Sequence, residues 1–187
     1  MIDFDEKLTA YELDRAIWLS SPAFSRLWKR GLMEQVYSQC VAYGIGLAEK
    51  YPIDLQYLED ELKRLGICKV LPFSDIEQAA PSLRAYYDLQ TKNIYWNDSF
   101  PRKLLELDSQ GLLQSFNENR IVQTMLLHEC FHHLEETKEK PVTDLLHQQY
   151  KRSFSPVFRD ISAFSFVNTY LGFPPSQLLD LFWLKNN

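Results

Sequence analysis

The chain of 187 residues lacks the features that mark secreted and membrane-spanning proteins. Its three cysteines, Cys40, Cys68 and Cys130, are odd in number and widely spaced, so a disulfide framework is not expected. The acidic N-terminus, MIDFDEKLTAYELD, has no apolar segment of the kind found in secretory signals. The apolar run Cys40–Ala48 is too short to cross a bilayer. These absences predict a soluble, cytoplasmic protein without a membrane partner.

A surplus of basic residues is also missing. Lysine and arginine number 20 against 25 aspartates and glutamates, which gives a net charge of -5. Nucleic-acid binding depends largely on basic side chains that neutralise phosphates, and a local cluster such as RLWKR is too short to provide a broad basic face. Direct nucleic-acid binding is therefore not expected.

The spacing of apolar residues predicts an α+β fold. The length fits a single domain, 1–187, with residues 1–34 as a helical N-terminal extension. Strand patterns, including two aromatic strands joined as a hairpin, predict a small, mostly antiparallel sheet of about three strands. The predicted strands lie in 67–73 and 83–98, and the predicted helices lie in 5–20, 32–50, 54–66, 115–136 and 155–171.

The helix predicted over 115–136 has the clearest signals. Ser115 and Glu118 fit a capping box, with the serine at the N-cap and the glutamate three positions later. No glycine or proline interrupts the helix, and apolar residues cover most of its circumference. A helix that is apolar nearly all round belongs in a protein core. Its polar residues therefore need a specific explanation.

Three of those polar residues form the pattern H-E-x-x-H, with His128, Glu129 and His132. Side chains four residues apart lie on the same side of a helix, so the two histidines can bind one zinc ion at about 2.0–2.1 Å from each ring nitrogen. Glu129 lies about 100° around the helix, where it can act as general base towards a water that zinc has acidified. His133 is expected to face solvent or to stand behind the ligands, and Glu135 and Glu136 are expected to form a solvated helix end.

The motif supplies two ligands, so a third must come from elsewhere in the chain. Asp160 is the strongest candidate because it lies on the other downstream helix with an apolar face. The small residues Ser162, Ala163 and Ser165 follow it and allow close helix approach. Asp144 and His147 are weaker alternatives. The sequence therefore predicts a Zn²⁺ site made by His128, His132 and Asp160, with Glu129 as the catalytic residue.

With these residues assigned, the chain resembles the ImmA/IrrE family of zinc metallopeptidases. The resemblance covers about residues 35–180 and rests on NIYWND for the family's I-x-x-N strand, on HECFHH, and on LGFPP near the end. In the later family pattern E-x-x-A-x-x-F-A, Asp160 takes the place of the glutamate and Val167 that of the last alanine. Phe131 replaces a small residue before the second histidine. The resemblance implies a zincin-like fold in which the sheet packs on the HExxH helix and the NIYWND strand borders the cleft, where an edge strand could bind an extended peptide.

These observations predict a cytoplasmic zinc-dependent metalloprotease that hydrolyses a specific protein or peptide substrate. The resemblance makes a helix-turn-helix transcriptional repressor one candidate substrate. The alternative is a zincin-like binding or regulatory module that is catalytically weak or inactive, and Asp160 and Phe131 are the residues that motivate it. Candidate stabilisers of a developing oxyanion are Tyr150, His147 and Tyr170.

Overall fold

A computed structural model describes residues 9–19, 32–75, 83–108, 111, 113–146, 155–172 and 174–186 of the chain. The chain divides into two compact units. The central unit is Tyr51–Glu139, and the terminal unit combines Met1–Lys50 with Lys140–Asn187. No helix within the described ranges is both long enough and apolar enough to span a membrane.

The prediction of an α+β fold with three strands is confirmed across the described residues, which contain eight α-helices and one three-stranded sheet. In chain order the elements are α1 (Ala10–Leu19), α2 (Leu32–Lys50), a 3₁₀ turn (Leu55–Tyr57), α3 (Leu58–Leu65), β1 (Lys69–Pro72), a second 3₁₀ turn (Phe73–Asp75), β2 (Ala85–Asp88), β3 (Asn93–Trp96), α4 (Phe100–Leu107), α5 (Glu118–Thr137), α6 (Val142–Leu145), α7 (Ser155–Leu171) and α8 (Pro175–Asn186). The single-domain boundary and the 1–34 extension stay predictions, and much of that extension lies outside the described residues.

The sheet of the central unit has the strand order β1-β3-β2 and is mixed. β1 pairs with β3 in parallel, whereas β2 and β3 form the predicted antiparallel hairpin. The expectation of a mostly antiparallel sheet is therefore corrected, because the chain passes from β1 to the far edge before it returns to the centre. The expectation that NIYWND forms an edge strand is also wrong, because β3 is the middle strand. Helix α5 packs across β2 and β3, where Ile94 is completely buried.

The ends of the central helices follow local capping chemistry. Asn117, not Ser115, is the N-cap of α5, and its side-chain oxygen accepts a hydrogen bond of 2.8 Å from the Arg120 amide. The capping-box prediction is therefore wrong by two residues, while the helix itself is confirmed. Asp54 caps the 3₁₀ turn before α3 by accepting from the Gln56 amide. Gly66 ends α3 with a φ of 109°, a left-handed conformation that glycine adopts without strain.

The terminal unit is built around the packing of α2 on α7. The two helices approach closely at Gly44, because a Cβ atom added there would lie 2.1 Å from the Ser162 carbonyl oxygen. The small residues after Asp160 were expected to allow packing on the H-E-x-x-H helix, and that expectation stays a prediction. Helix α8 was not predicted. Its start at Pro175 fits the preference for proline in the first helical turn. It packs on both α1 and α7.

Asp14 of α1 is completely buried in the terminal unit. Its Oδ2 accepts hydrogen bonds from the Tyr37 hydroxyl at 2.8 Å and from the Gln177 amide at 3.4 Å. Burial raises the pKa of the Asp14 carboxyl from 3.8 to about 7, although both hydrogen bonds act in the opposite direction. The folded state therefore favours the protonated carboxyl, while the unfolded chain ionises at lower pH.

This difference predicts that stability depends on pH. The stabilisation from protonated Asp14 is fully present below the unfolded pKa of 3.8 and is lost as the pH rises through about 7. Each unit of pKa difference corresponds to about 1.4 kcal/mol. We expect denaturant titrations to give a lower free energy of unfolding at pH 8 than at pH 5, and Asp14→Asn to reduce that difference. An equal difference in the variant would contradict this assignment.

Candidate metal centre

His128 and His132 are brought together on one face of α5. Their Nε2 atoms lie 3.1 Å apart, and their ring planes meet at 72°. When two nitrogens bind the same tetrahedral zinc ion at about 2.0–2.1 Å, they lie roughly 3.3–3.4 Å from each other. The observed separation also suits a hydrogen bond in which one ring N–H donates to the other ring. Both rings are half-buried, so the pair is held in place but remains accessible.

Glu129 contacts β2, which is an edge strand of the sheet in the described part of the chain. The Tyr87 amide of β2 donates to Glu129 Oε2 at 2.8 Å. The Asn97 amide bonds to the Arg84 carbonyl, so Arg84, Tyr86 and Asp88 direct their backbone groups towards β3, whereas Tyr87 directs its own away from it. Glu129 is 9% exposed, so its carboxylate lies in a recess with this edge amide as a fixed donor.

The expectations for His133 and Glu135 are corrected. His133 does not face solvent: it is 1% exposed, with Nδ1 2.9 Å from the Tyr87 hydroxyl and Nε2 3.2 Å from the Leu65 carbonyl. Burial lowers the pKa of this imidazole, so His133 is neutral at neutral pH. Glu135 is not part of a solvated helix end, because it is completely buried. Glu136 is exposed, as predicted.

Glu135 also lies close to a predicted ligand. Its Oε2 is 3.9 Å from His132 Nδ1, a distance for charge interaction rather than a direct hydrogen bond. Histidines that bind metals usually turn the second ring nitrogen towards a carboxylate or carbonyl oxygen. With Nδ1 near Glu135, the Nε2 atom of His132 is the nitrogen directed towards His128.

The two residues inside the motif, Cys130 and Phe131, are both completely buried. Burial raises the pKa of the Cys130 thiol to about 12, so this group is a poor nucleophile and a poor ligand. The Phe131 ring meets the His132 ring edge-on, with centroids 5.5 Å apart. The large residue at position 131 therefore contributes to the core and contacts a predicted ligand.

The other sequence candidates lie in the terminal unit. Asp160 is half-buried and lies within the first two turns of α7. Its role as third ligand stays a prediction. Asp144 is exposed on the short helix α6, and His147 and Tyr150 lie outside the described residues. The Tyr170 hydroxyl donates to the Ala48 carbonyl at 3.0 Å, so it has a structural role.

Tyr87 and Glu135 were missed in the sequence as members of this centre. Glu135 had a signal, because a residue three positions after His132 lies on nearly the same side of the helix. Tyr87 had none, since its amide reaches Glu129 only through the packing of β2 on α5. Asn97 of the NIYWND segment has a structural role: its side-chain oxygen accepts from the Ser99 amide and hydroxyl, which stabilises the turn between β3 and α4.

No protein-family model, curated protein or solved structure matches this chain. The resemblance to the ImmA/IrrE family therefore rests on the sequence motifs alone and stays a prediction.

Proposed function

We propose that this protein is a zinc-dependent metallopeptidase that hydrolyses peptide bonds in a specific protein substrate. The observation that carries the proposal is the convergence of the His128 and His132 Nε2 atoms to 3.1 Å, with a recessed carboxylate at the intervening Glu129. The distance between the two nitrogens is suitable for two ligands of one ion. The carboxylate of Glu129, between them in sequence, is suitable as the general base for a metal-activated water.

The donor set fits zinc in its chemistry. Neutral imidazole nitrogens and carboxylate oxygens are common zinc ligands, and catalytic sites usually use three protein ligands with one position left open. His128 and His132 would supply the nitrogens, and we propose Asp160 for the oxygen. Zinc in such a site would polarise the substrate carbonyl and acidify a water molecule. The carboxylate of Glu135 near His132 Nδ1 supports ligation through the opposite nitrogen.

Glu129 would accept the proton from the attacking water and return it to the leaving amine. A carboxylate suffices for this step when the water is already acidified. The Tyr87 amide would keep the Glu129 side chain in one orientation during the reaction. A fixed orientation matters because small misplacements of a reacting group cost large factors in rate.

The edge of β2 is the proposed site for an extended peptide. This edge lies beside Glu129. In the observed register, the backbone N–H and C=O groups of Ala85 and Tyr87 point away from β3. A peptide that pairs with this edge would form main-chain hydrogen bonds, and side-chain contacts would set its specificity. The substrate class stays that given by the resemblance, with a helix-turn-helix repressor as one candidate.

Zinc binding is the first test of this function. We expect about one zinc ion per chain after zinc addition and dialysis, measured by elemental analysis. His132→Ala should remove most of it, because one remaining histidine cannot hold the ion with similar affinity. Cys68→Ala removes an exposed thiol that could bind zinc adventitiously, and this control should keep the ion. A chain that takes up no zinc, or equal zinc uptake by His132→Ala, would refute the proposal. Zinc retention without cleavage of any peptide would favour the binding or regulatory module instead.

Asp160 can be tested separately by affinity. Loss of a residue that only hydrogen-bonds a metal ligand typically weakens metal binding by roughly 10- to 100-fold. Asp160 is proposed as a direct ligand, so we expect Asp160→Ala to weaken zinc binding by at least as much. A competition titration with a chelating dye measures this change. The matched control is Asp144→Ala, which removes the exposed alternative and should leave the affinity unchanged. The opposite ranking would move the third ligand to α6.

A further inference from the structure

Tyr87 is attached to α5 at two points one helical turn apart. Its backbone amide donates to Glu129, and its hydroxyl lies 2.9 Å from His133 Nδ1. Glu129 and His133 are four residues apart, so both project from the same side of the helix. The Tyr87 and His133 rings also meet edge-on, with centroids 5.0 Å apart. One strand residue therefore bonds the predicted base with its main chain and a buried histidine with its side chain.

The hydrogen-bond partners determine which His133 nitrogen carries the proton. The Leu65 carbonyl can only accept, so Nε2, 3.2 Å away, must be the donor. In a neutral imidazole the other nitrogen is then an acceptor. The Tyr87 hydroxyl must therefore donate to Nδ1. His133 links the end of α3 to β2 as a donor on one side and an acceptor on the other.

We propose that His133 is a positioning residue for Glu129. By binding the Tyr87 hydroxyl, His133 fixes strand β2 so that the Tyr87 amide meets the Glu129 carboxylate. This inference rests on the proposed function, in which Glu129 is the base. A backbone N–H cannot be reoriented by side-chain rotation, so the position of the Tyr87 amide depends only on the position of the strand. The ring of His133 is rigid and 1% exposed, which makes it suited to hold the strand against the helix.

Amide hydrogen exchange and imidazole nitrogen shifts of the ¹⁵N-labelled full chain test the proposal without any substrate. We expect His133 to carry its proton on Nε2. Tyr87→Phe removes only the hydroxyl, and we expect the amide at position 87 to exchange roughly 2- to 12-fold faster, the range for loss of one net hydrogen bond. A proton on Nδ1, or unchanged exchange at position 87, would overturn the proposal.

Tyr86→Phe is the matched control. Tyr86 precedes Tyr87 on the same strand but stacks on Tyr95 of β3, so its side chain lies on the opposite face. We expect this variant to leave exchange at position 87 unchanged. If it accelerates exchange as much as Tyr87→Phe does, the effect is general loosening of the strand and the inference fails.

A pair of substitutions at position 133 separates positioning from simple packing. His133→Asn places a side-chain oxygen near the position of Nδ1, so it can still accept from the Tyr87 hydroxyl. His133→Leu fills similar space without an acceptor. We expect slower exchange at position 87 in the asparagine variant than in the leucine variant. Equal exchange in the two would show that the histidine acts only by filling space.

The catalytic consequence is measured with fluorescence-quenched peptides of random sequence. In zinc-loaded protein, Tyr87→Phe should lower kcat by up to about 100-fold, the cost of a misplaced catalytic group, with KM and zinc content little changed. An unchanged kcat would overturn the positioning role. If the unsubstituted protein cleaves no peptide, the proposed function fails, and the exchange and tautomer results still decide whether His133 positions the carboxylate.

Discussion

Glu129→Gln is expected to lower peptide hydrolysis by about 10²- to 10⁴-fold, the usual contribution of a general base. Glutamine has nearly the same shape as glutamate but cannot accept a proton from water at neutral pH. Its side-chain oxygen can still accept from the Tyr87 amide, so the contact between α5 and β2 should survive. Zinc content should also be unchanged, because both histidines remain. The measurement compares initial rates on fluorescence-quenched random peptides with zinc content in the same samples.

Glu136→Gln is the matched control for this experiment. Glu136 is an exposed residue in the last turn of α5, so the same chemical change is made outside the recess. We expect normal hydrolysis and normal zinc content in this variant. Equal activity in Glu129→Gln and the unsubstituted protein would exclude Glu129 as the base. Loss of zinc in Glu129→Gln would mean that this carboxylate is a ligand instead.

Gly44→Ala is expected to destabilise the terminal unit. The added methyl group would lie 2.1 Å from the Ser162 carbonyl oxygen and 3.0 Å from the Phe166 amide, both of them backbone atoms of α7. Helix α2 would have to move away from α7, and overpacking of this kind typically costs about 1–3 kcal/mol. Because the contacted atoms are backbone atoms that cannot rotate away, we expect the upper part of this range, which exceeds the gain of about 1 kcal/mol in helix propensity on replacing glycine with alanine.

Gly46→Ala provides an internal comparison on the same helix. Gly46 is exposed, and nothing lies within 4 Å of the position of its added Cβ atom. Only the propensity gain remains, so we expect stabilisation by about 1 kcal/mol. Thermal unfolding should show the two variants shifted in opposite directions, by roughly 2–4 °C per kcal/mol for a chain of this size. A shift of the same sign in both would contradict the close approach of α2 and α7.

The sequence was sufficient for features that depend on local pattern. The spacing of apolar residues predicted α2 over its full observed range, Leu32–Lys50, and the aromatic run predicted the β2–β3 hairpin. The convergence of His128 and His132 followed from helical geometry alone. The start of α5 was placed two residues early because Ser115 and Asn117 are both good capping residues, and only the backbone conformation at Asn117 decides between them.

The remaining features depend on partners that are distant in sequence. His133 and Glu135 lie in the polar run HHLEE, which in isolation indicates a solvated helix end. His133 is nevertheless buried, because its partners Tyr87 and Leu65 are 46 and 68 residues away. Strand order has the same origin: a hairpin does not reveal which of its strands will pair with β1. The motif therefore determined the convergence of His128 and His132. Tertiary packing determined the burial and partners of the residues around them.

The division of the chain into a continuous central unit and a terminal unit built from both ends has a consequence for folding order. The Tyr170 hydroxyl and the Ala48 carbonyl, which join α7 to α2, are 122 residues apart in sequence. Contacts of such long range form slowly because a large loop must close first. The three strands of the sheet and helices α3, α4 and α5 all lie within Tyr51–Glu139. We therefore expect the H-E-x-x-H helix to pack on its sheet during synthesis before α7 has been made and can pack on α2.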